Sequence, residues 1–353
     1  MWRNACRCNL FNTKYDSFMT KVAIIGAGLS GITAALYLNN LFDISIFEKS
    51  RGVGGRITTR YADPFYFDHG AQFFIAKDEK FKDFIKPMIE QKIIQRWDAK
   101  FVEIFKSQIS QKWQWNDKKP HYVGSPGMNA ISKYLAKSLN IHLNTTISRL
   151  VNKNPPNQPP RWQLFDQQDQ LLGTFDWVIC TAPAPQAGNL LPSQFAHHEP
   201  IKQTNMLPCY SLMLGFYEPL NLDFDAALIK GADISWISVN SRKPGRHQAF
   251  SLLIHSTNQW AQSHLEDDQQ AVIKYLSDQT SQSIGLDVSQ ADHQTLHRWR
   301  YANMKTVYSE KSLVDDKNQL IACGDWCIQG RIEAAFMSGL SAANAVKKAT
   351  MSL

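Results

Sequence analysis

Three features of one stretch, Lys21 to Arg56, predict an α/β fold built on a nucleotide-binding βαβ unit. A short apolar run, Val22 to Ile25, reads as a buried parallel strand. Gly26, Gly28 and Gly31 follow at GxGxxG spacing and lead into a helical pattern from Leu29 to Leu38. A second strand, Ile44 to Phe47, ends in Glu48, about twenty positions after Gly26, where a Rossmann-like unit carries the acid that receives ribose hydroxyls.

Each element has its own physical reason. Gly26 allows the tight turn off the strand. Gly28 lets the backbone approach a pyrophosphate. Gly31 lets the helix pack closely on the strand, with Ser30 in the same first turn. A carboxylate at Glu48 suits two free ribose hydroxyls and repels a 2′-phosphate, which argues against NADP in this position. Lys49-Ser50-Arg51-Gly52-Val53-Gly54-Gly55-Arg56 then forms a second glycine turn. Lys49, Arg51, Gly54, Gly55 and Arg56 are its candidate cofactor residues, because arginine forks onto phosphate oxygens from a second side. Val22 to Phe42 carries no charge over twenty-one residues, the length of a membrane span. Its three glycines and the pair Asn39-Asn40 break it into strand and helix instead, and no stable membrane insertion is expected.

The chain has 353 residues, 44% of them apolar, enough to bury a large core in one or two domains. A net charge of +7 with Lys and Arg scattered along the chain gives no nucleic-acid stripe. Cys6, Cys8, Cys180, Cys209, Cys323 and Cys327 show no disulfide framework, and no clustered histidines accompany Cys323 and Cys327. Reduced thiols in a cytoplasmic protein, with no metal, are the expected state. Met1 to Phe18 lacks the apolar segment of a secretory signal. It is acid-poor with Arg3 and Arg7, so a transit peptide stays open. Residues 1–19 are expected to be a disordered extension or an upstream start, with Met19 just before the first strand.

The GxGxxG…E…GGR string resembles the FAD-binding signature of the glutathione-reductase-like flavoproteins, most closely the flavin amine oxidase superfamily. The resemblance implies non-covalently held FAD, since no cysteine falls where covalently flavinylated relatives carry theirs. Phe67-Asp68-His69-Gly70-Ala71-Gln72-Phe73 matches a run that brings Ala71, Gln72 and Phe73 to the isoalloxazine ring. Tyr122-Val123-Gly124-Ser125-Pro126-Gly127-Met128 resembles a G-x-P-G-M turn. Ile147 is implied to touch adenine through its backbone. Thr181-Ala182-Pro183-Ala184-Pro185 resembles a strand-to-proline crossover. Gly324-Asp325 followed by Ile332-Glu333-Ala334-Ala335 matches the superfamily's ending. Asp325 would hold a ribityl hydroxyl, and the helix opening at Glu333, Ala334 and Ala335 would direct its positive end at flavin N1 and O2.

Between these motifs the pattern changes. Lys77 to Lys119 mixes an amphipathic helix around Phe81, Phe84, Ile85, Met88 and Ile89 with a strand pair, and its tryptophans read as core. Met128, Ile131, Leu135 and Leu139 share a helical face. Ile141, Leu143, Thr145 and Ile147 alternate as one strand. Asn152 to Pro160 is a surface loop, and Phe175 to Cys180 a strand. Leu212, Leu214 and Phe216, then Ile234, Trp236 and Ile237, predict a mixed or antiparallel sheet. Ser263-His264-Leu265-Glu266 has capping-box spacing. The expected organisation is a discontinuous FAD-binding domain (20–75, 120–194 and 301–350) with an inserted mixed-sheet substrate domain (76–119 and 195–300).

Two stretches resemble bacterial members of the renalase group: Leu253 to Trp260, with Trp236 and Lys243-Pro244-Gly245-Arg246 upstream, and His297-Arg298-Trp299-Arg300-Tyr301-Ala302. The resemblance implies that His255 and Trp299 line the substrate side of the flavin as candidate catalytic residues. It implies a flavin-dependent oxidase that turns 1,2- and 1,6-dihydro isomers of NAD(P) into NAD(P)+ and passes the electrons to O2, giving hydrogen peroxide. Such donors already carry a transferable hydride, so stacking and pocket shape suffice without a strong base. An amine oxidase acting on a primary or secondary amine shares the cofactor motifs and is the alternative, followed by a non-catalytic flavin-binding protein.

Overall fold

The computed structural model describes residues 19–246, 249–305, 308 and 310–351. The extension expected over residues 1–18 lies outside the described residues. The βαβ unit forms as its pattern predicts. Lys21–Ile25 and Asp43–Phe47 pair in parallel in register, Ile25 opposite Phe47, with the helix Leu29–Leu38 between them. They sit inside a six-stranded sheet ordered Ser312–Asp315, Leu320–Cys323, Trp177–Cys180, Lys21–Ile25, Asp43–Phe47, Ile141–His142. Every pairing is parallel except that of the edge strand Ser312–Asp315. Val22, Ala23 and Ile24 are fully buried, as expected for a strand covered on both faces.

Gly31 shows why the helix can lie so close to the first strand. A Cβ there would stand 2.1 Å from the Gly26 carbonyl oxygen, a backbone atom that cannot yield. The C-terminal helix Ile332–Met351 packs on the same helix through Gly339, whose Cβ would meet the Ser30 carbonyl oxygen at 2.2 Å.

A seven-stranded mixed sheet takes its strands from two separate stretches of chain. Its order is His293–Met304, Met206–Phe216, Phe250–Ser256, Ile234–Val239, Ala226–Lys230, Lys100–Phe105, Gln108–Gln114. All neighbours are antiparallel except Ala226–Lys230 with Lys100–Phe105. Alternation assigns the faces. Leu212, Leu214 and Ile254 pack with Val272, Ile273 and Leu276 of the helix Gln269–Ile284. On the other face Met213 and Leu253 cover Phe65 and Phe67, and the Ser211 hydroxyl donates to the His69 carbonyl at 2.7 Å. That second face brings the sheet onto the nucleotide-binding half.

Several sequence expectations change. Ile141 to Ile147 is not one strand: Ile141–His142 edges the parallel sheet, and Ile147–Asn152 begins a three-stranded antiparallel sheet. Asn144 breaks the run with φ 53°, a left-handed conformation that asparagine tolerates. The helix carrying Met128, Ile131 and Leu135 spans Asn129–Leu135 and stops before Leu139. Phe175 and Trp177–Cys180 belong to different strands, separated at Asp176. Ser263 ends the short helix Asn258–Ser263 instead of opening the next one. Asp268 caps that next helix, accepting from the Gln270 and Ala271 amides at 3.0 Å. Glu266 faces Arg298 and Arg300. Trp97 is core, but Trp113 is 41% exposed.

Candidate cofactor and substrate site

A cavity of about 790 Å³ opens where the two sheets meet. Gly28, Ser30, Gly54, Arg56, Ala71, Gln72, Phe73, Gly324, Asp325, Glu333 and Ala335 line it, as do His255 and Trp299. Residues as far apart as Gly28 and Glu333 therefore meet at one place. Gly26, Gly31, Glu48, Lys49, Arg51, Gly55, Ile147 and Ala334 lie outside the lining. Gly26 and Gly31 act on packing. Arg51 is exposed, and Lys49 donates to Gln186 Oε1 at 3.2 Å. Ile147 joins the core with Phe47 and Phe175, and the chain just before it returns to the acid, Thr145 N donating to the Glu48 carbonyl at 2.9 Å.

The residues fit a bound dinucleotide. Gly28 and Gly54 form a backbone bridge, and a Cβ on Gly28 would enter open space, the cradle a phosphate needs. Glu48 is buried, with one carboxylate oxygen accepting from Ala27 N and the other from Ser50 N, each at 2.8 Å. Each oxygen keeps a further acceptor site, enough for the two hydroxyls of a ribose. Arg56 donates to the Ala302 carbonyl at 2.9 Å and pairs with Asp325. Its guanidinium thus joins the glycine turn to the distant Gly324-Asp325 segment. Ser30 Oγ donates to the Ala335 carbonyl at 2.9 Å. The Glu333 carboxylate accepts from the Lys77 and Asp78 amides at 2.6 and 3.1 Å, fixing where the C-terminal helix begins.

Gln72 lines the cavity while its amide turns into the protein. Its Nε2 donates to the Asp68 and Gly70 carbonyls, and its Oε1 accepts from Ser238 Oγ at 2.9 Å and Lys243 Nζ at 3.1 Å. Beneath it lies a cluster that the sequence did not reveal. Lys243 Nζ and Arg246 Nη2 both reach Asp68 Oδ2, at 3.3 and 2.5 Å, with all three side chains almost wholly buried. Burial raises the Asp68 carboxyl, but Lys243, Arg246 and the Met128 amide outweigh it and hold it at about 2. Lys243 shares its only carboxylate with Arg246. Burial therefore prevails over the attraction of Asp68 and pushes the ammonium down to about 8.

The opposite wall, built on His255 and Trp299, is aromatic and uncharged, and His69 and His297 pack against Trp299 outside the lining. Trp299 Nε1 donates to the His69 carbonyl at 2.8 Å, and its ring stacks on His69 at 5.3 Å. His297 meets both rings edge-on. Burial pushes His255 down to about 4, despite a hydrogen bond with the His69 backbone. Burial, then His297 and Arg60, take His69 down to about 3, and burial with Arg60 takes His297 to about 4. All three rings are neutral at pH 7. Leu228, Ser235, Trp236, Asn258 and Asn303 complete this wall, and Asn303 Nδ2 donates to Asn258 Oδ1 at 3.1 Å. Lys77 and Arg331 also reach the cavity. Sequence reasoning passed over Lys77, Asn303 and Arg331 because no local motif marks them.

The family model "Flavin containing amine oxidoreductase" matches residues 105–347, and an NAD(P)-binding Rossmann-like domain matches residues 24–87. The chain belongs to the flavin containing amine oxidoreductase family. It is a flavin-dependent oxidoreductase with a Rossmann-like unit and FAD as its cofactor. Among solved structures, a putative protoporphyrinogen oxidase from Exiguobacterium sp. 255-15 superposes with TM-score 0.76 at 11% identity, over 93% of this chain and 98% of that one. A putrescine oxidase bound to putrescine gives TM-score 0.65 at 11% identity, over 93% and 98%. These likenesses show the shared fold. The curated relatives match only locally. The 4,4′-diapophytoene desaturase of Staphylococcus aureus is 39% identical over 59 residues, and the carotenoid 3,4-desaturase of Haloarcula japonica 36% over 58. Each match covers 16% of this chain and 12% of the relative. No helix among the described residues is long and apolar enough to cross a membrane.

Proposed function

We propose that this protein is an oxidase that resembles renalase, oxidising 1,2- and 1,6-dihydro isomers of NAD(P) to NAD(P)+ with O2 reduced to hydrogen peroxide. Bound FAD would accept the hydride and pass both electrons to O2. The observation that carries this reading is the distribution of charge. The wall formed by Cys209, Leu228, Ser235, Trp236, His255, Asn258 and Trp299 has no carboxylate, while Arg56, Lys77 and Arg331 line other parts of the cavity, where the carboxylates Asp325 and Glu333 are engaged by Arg56 and by the Lys77 and Asp78 amides. A cationic amine finds no counter-ion on that wall. A phosphate-bearing hydride donor finds cations nearby and flat rings to lie against.

In this reading Gly28 and Gly54 admit the cofactor's pyrophosphate, Glu48 receives its ribose, and Arg56 and Asp325 hold the middle of the molecule. Ala71, Gln72 and Phe73 approach its ring from one side, and Ile147 and Ala334 support it from outside the cavity. His255 and Trp299 orient the donor ring. His255 is a neutral group and takes no proton, since hydride loss from a dihydropyridine requires no base. Among the described residues, Cys209 is the one cysteine in the lining, and burial pushes its thiol up to about 12. It supplies no thiolate for a covalent flavin bond, which supports non-covalent binding. We assign 20–75, 120–194 and 301–350 to the cofactor half, and 76–119 and 195–300 to the substrate half.

The test is anaerobic bleaching of the FAD-loaded protein by a panel of donors. Dihydronicotinamide isomers are expected to bleach the flavin, and readmitted O2 to restore it with one hydrogen peroxide per turnover. Bleaching by primary or secondary amines alone would replace this reading with amine oxidation.

A further inference from the structure

Next to the main cavity lies a second one of about 490 Å³. Phe73, Leu228 and Trp236 line both and form the partition between them. The rest of the second chamber is mostly aromatic: Phe101, Trp113, Trp115 and His121, with Lys119, Gln114 and Asn116 beside them. Trp115 and His121 stack at 3.7 Å with planes 8° apart. Phe73 contacts Trp115, His121 and Trp236 at ring distances of 4.9, 5.1 and 5.6 Å.

This chamber is open to solvent on one side, unlike ordinary core, and Gln114, Asn116 and Lys119 set amide and ammonium groups beside its rings. Trp113 and Lys119 are exposed, giving a ligand a way in.

Size sharpens the inference. A cavity of roughly 300–1,000 Å³ holds one drug-sized ligand, and the 790 Å³ main cavity must already accept FAD. A second dinucleotide beside FAD extends beyond that cavity. The geometry points to the second chamber as the subsite for the adenosine end of the substrate dinucleotide. The purine lies against Trp113 and Trp236, and Lys119 faces the substrate's phosphates, while the dihydronicotinamide end stays in the main cavity and the link between the two ends crosses the solvent-open side of the partition. This rests on the proposed dihydronicotinamide oxidation and names how that substrate is selected. Stacking on aromatic side chains is sequence-tolerant and strong, whereas the cation supplies the complement to phosphate.

The test compares 1,6-dihydro-NAD with its half-molecule, the 1,6-dihydronicotinamide mononucleotide, as anaerobic reductants of the FAD-loaded protein. The concentration giving half-maximal bleaching rate is expected to be at least tenfold lower for the dinucleotide. Trp113→Ala and, separately, Lys119→Gln should each shrink that ratio at least fivefold. Both positions are exposed, so loss of fold does not confuse the result. ADP-ribose should quench tryptophan fluorescence in the parent protein and compete with the dinucleotide, and this quenching should weaken in Trp113→Ala. Equal half-saturation for the two donors would overturn the subsite while leaving the proposed reaction intact. Failure of both donors to bleach the flavin would overturn the reaction, and the subsite with it.

Discussion

Asp68 is one residue on which two halves of the molecule depend. It accepts from Lys243, Arg246, Thr59 Oγ1 and the Met128 amide. Two buried cations share this single anion, so removing it strands both. Asp68→Asn is expected to cost roughly 3–5 kcal/mol, read as a lower urea midpoint with unchanged slope. Lys243→Met should cost much less, because Asp68 then keeps Arg246. The sign of the acid dependence follows from the carboxyl being held at about 2 in the fold against about 3.9 unfolded. Its contribution is complete above about pH 4 and is lost as the pH falls toward 2. Nothing local in the sequence revealed this cluster. Asp68 sits in a motif read as a ring-approaching turn, and Lys243 and Arg246 stand out only by resemblance. A contact spanning some 175 positions has no periodicity to betray it.

Among whole elements, the first helix and the C-terminal helix act as one device. Gly31 presses the first helix onto its strand, and Gly339 presses the C-terminal helix onto Ser30. The Ser30 hydroxyl then ties to Ala335, and Glu333 ties to the amides of Lys77 and Asp78. The helix start that borders the cavity is thereby set by contacts at several points along the helix. Gly339→Ala puts a methyl group against backbone, which cannot rotate away. Overpacking of this kind costs about 1–3 kcal/mol. The expected outcome is a lower melting temperature together with a lower ratio of flavin absorbance to protein absorbance after purification. An unchanged flavin ratio would separate the helix start from the cofactor site. The βαβ unit was legible because glycine spacing and two periodicities agree there. Ile141 to Ile147 was not, because alternation continues across the Asn144 turn while the chain changes sheets. The partition by Phe73 and Trp236 was equally hidden, since a tryptophan in core and one beside a cavity look alike in sequence.

On the scale of the whole molecule, the nucleotide-binding half supplies Arg56, Arg331, Asp325 and glycine backbone, and the seven-stranded sheet supplies neutral rings. That division makes a prediction about pH. His69, His255 and His297 are held at about 3, 4 and 4, so none changes charge in the neutral range. Lys243 is the next buried group to titrate, losing its proton as the pH rises through about 8. Between about pH 5.5 and 7 no group around the cavity with a resolved shift gains or loses a proton, and a dihydropyridine donor has no ionisable amine. The flavin bleaching rate at low donor concentration is therefore expected to vary by less than about twofold across that window. An amine donor behaves differently, because only its neutral form yields hydride. Its rate at low concentration would climb about tenfold for each pH unit below the amine's own pKa. A flat profile with dihydronicotinamides is what the uncharged wall requires. A steep rise with the physiological donor would mean that an amine, not a dihydropyridine, lies against His255 and Trp299.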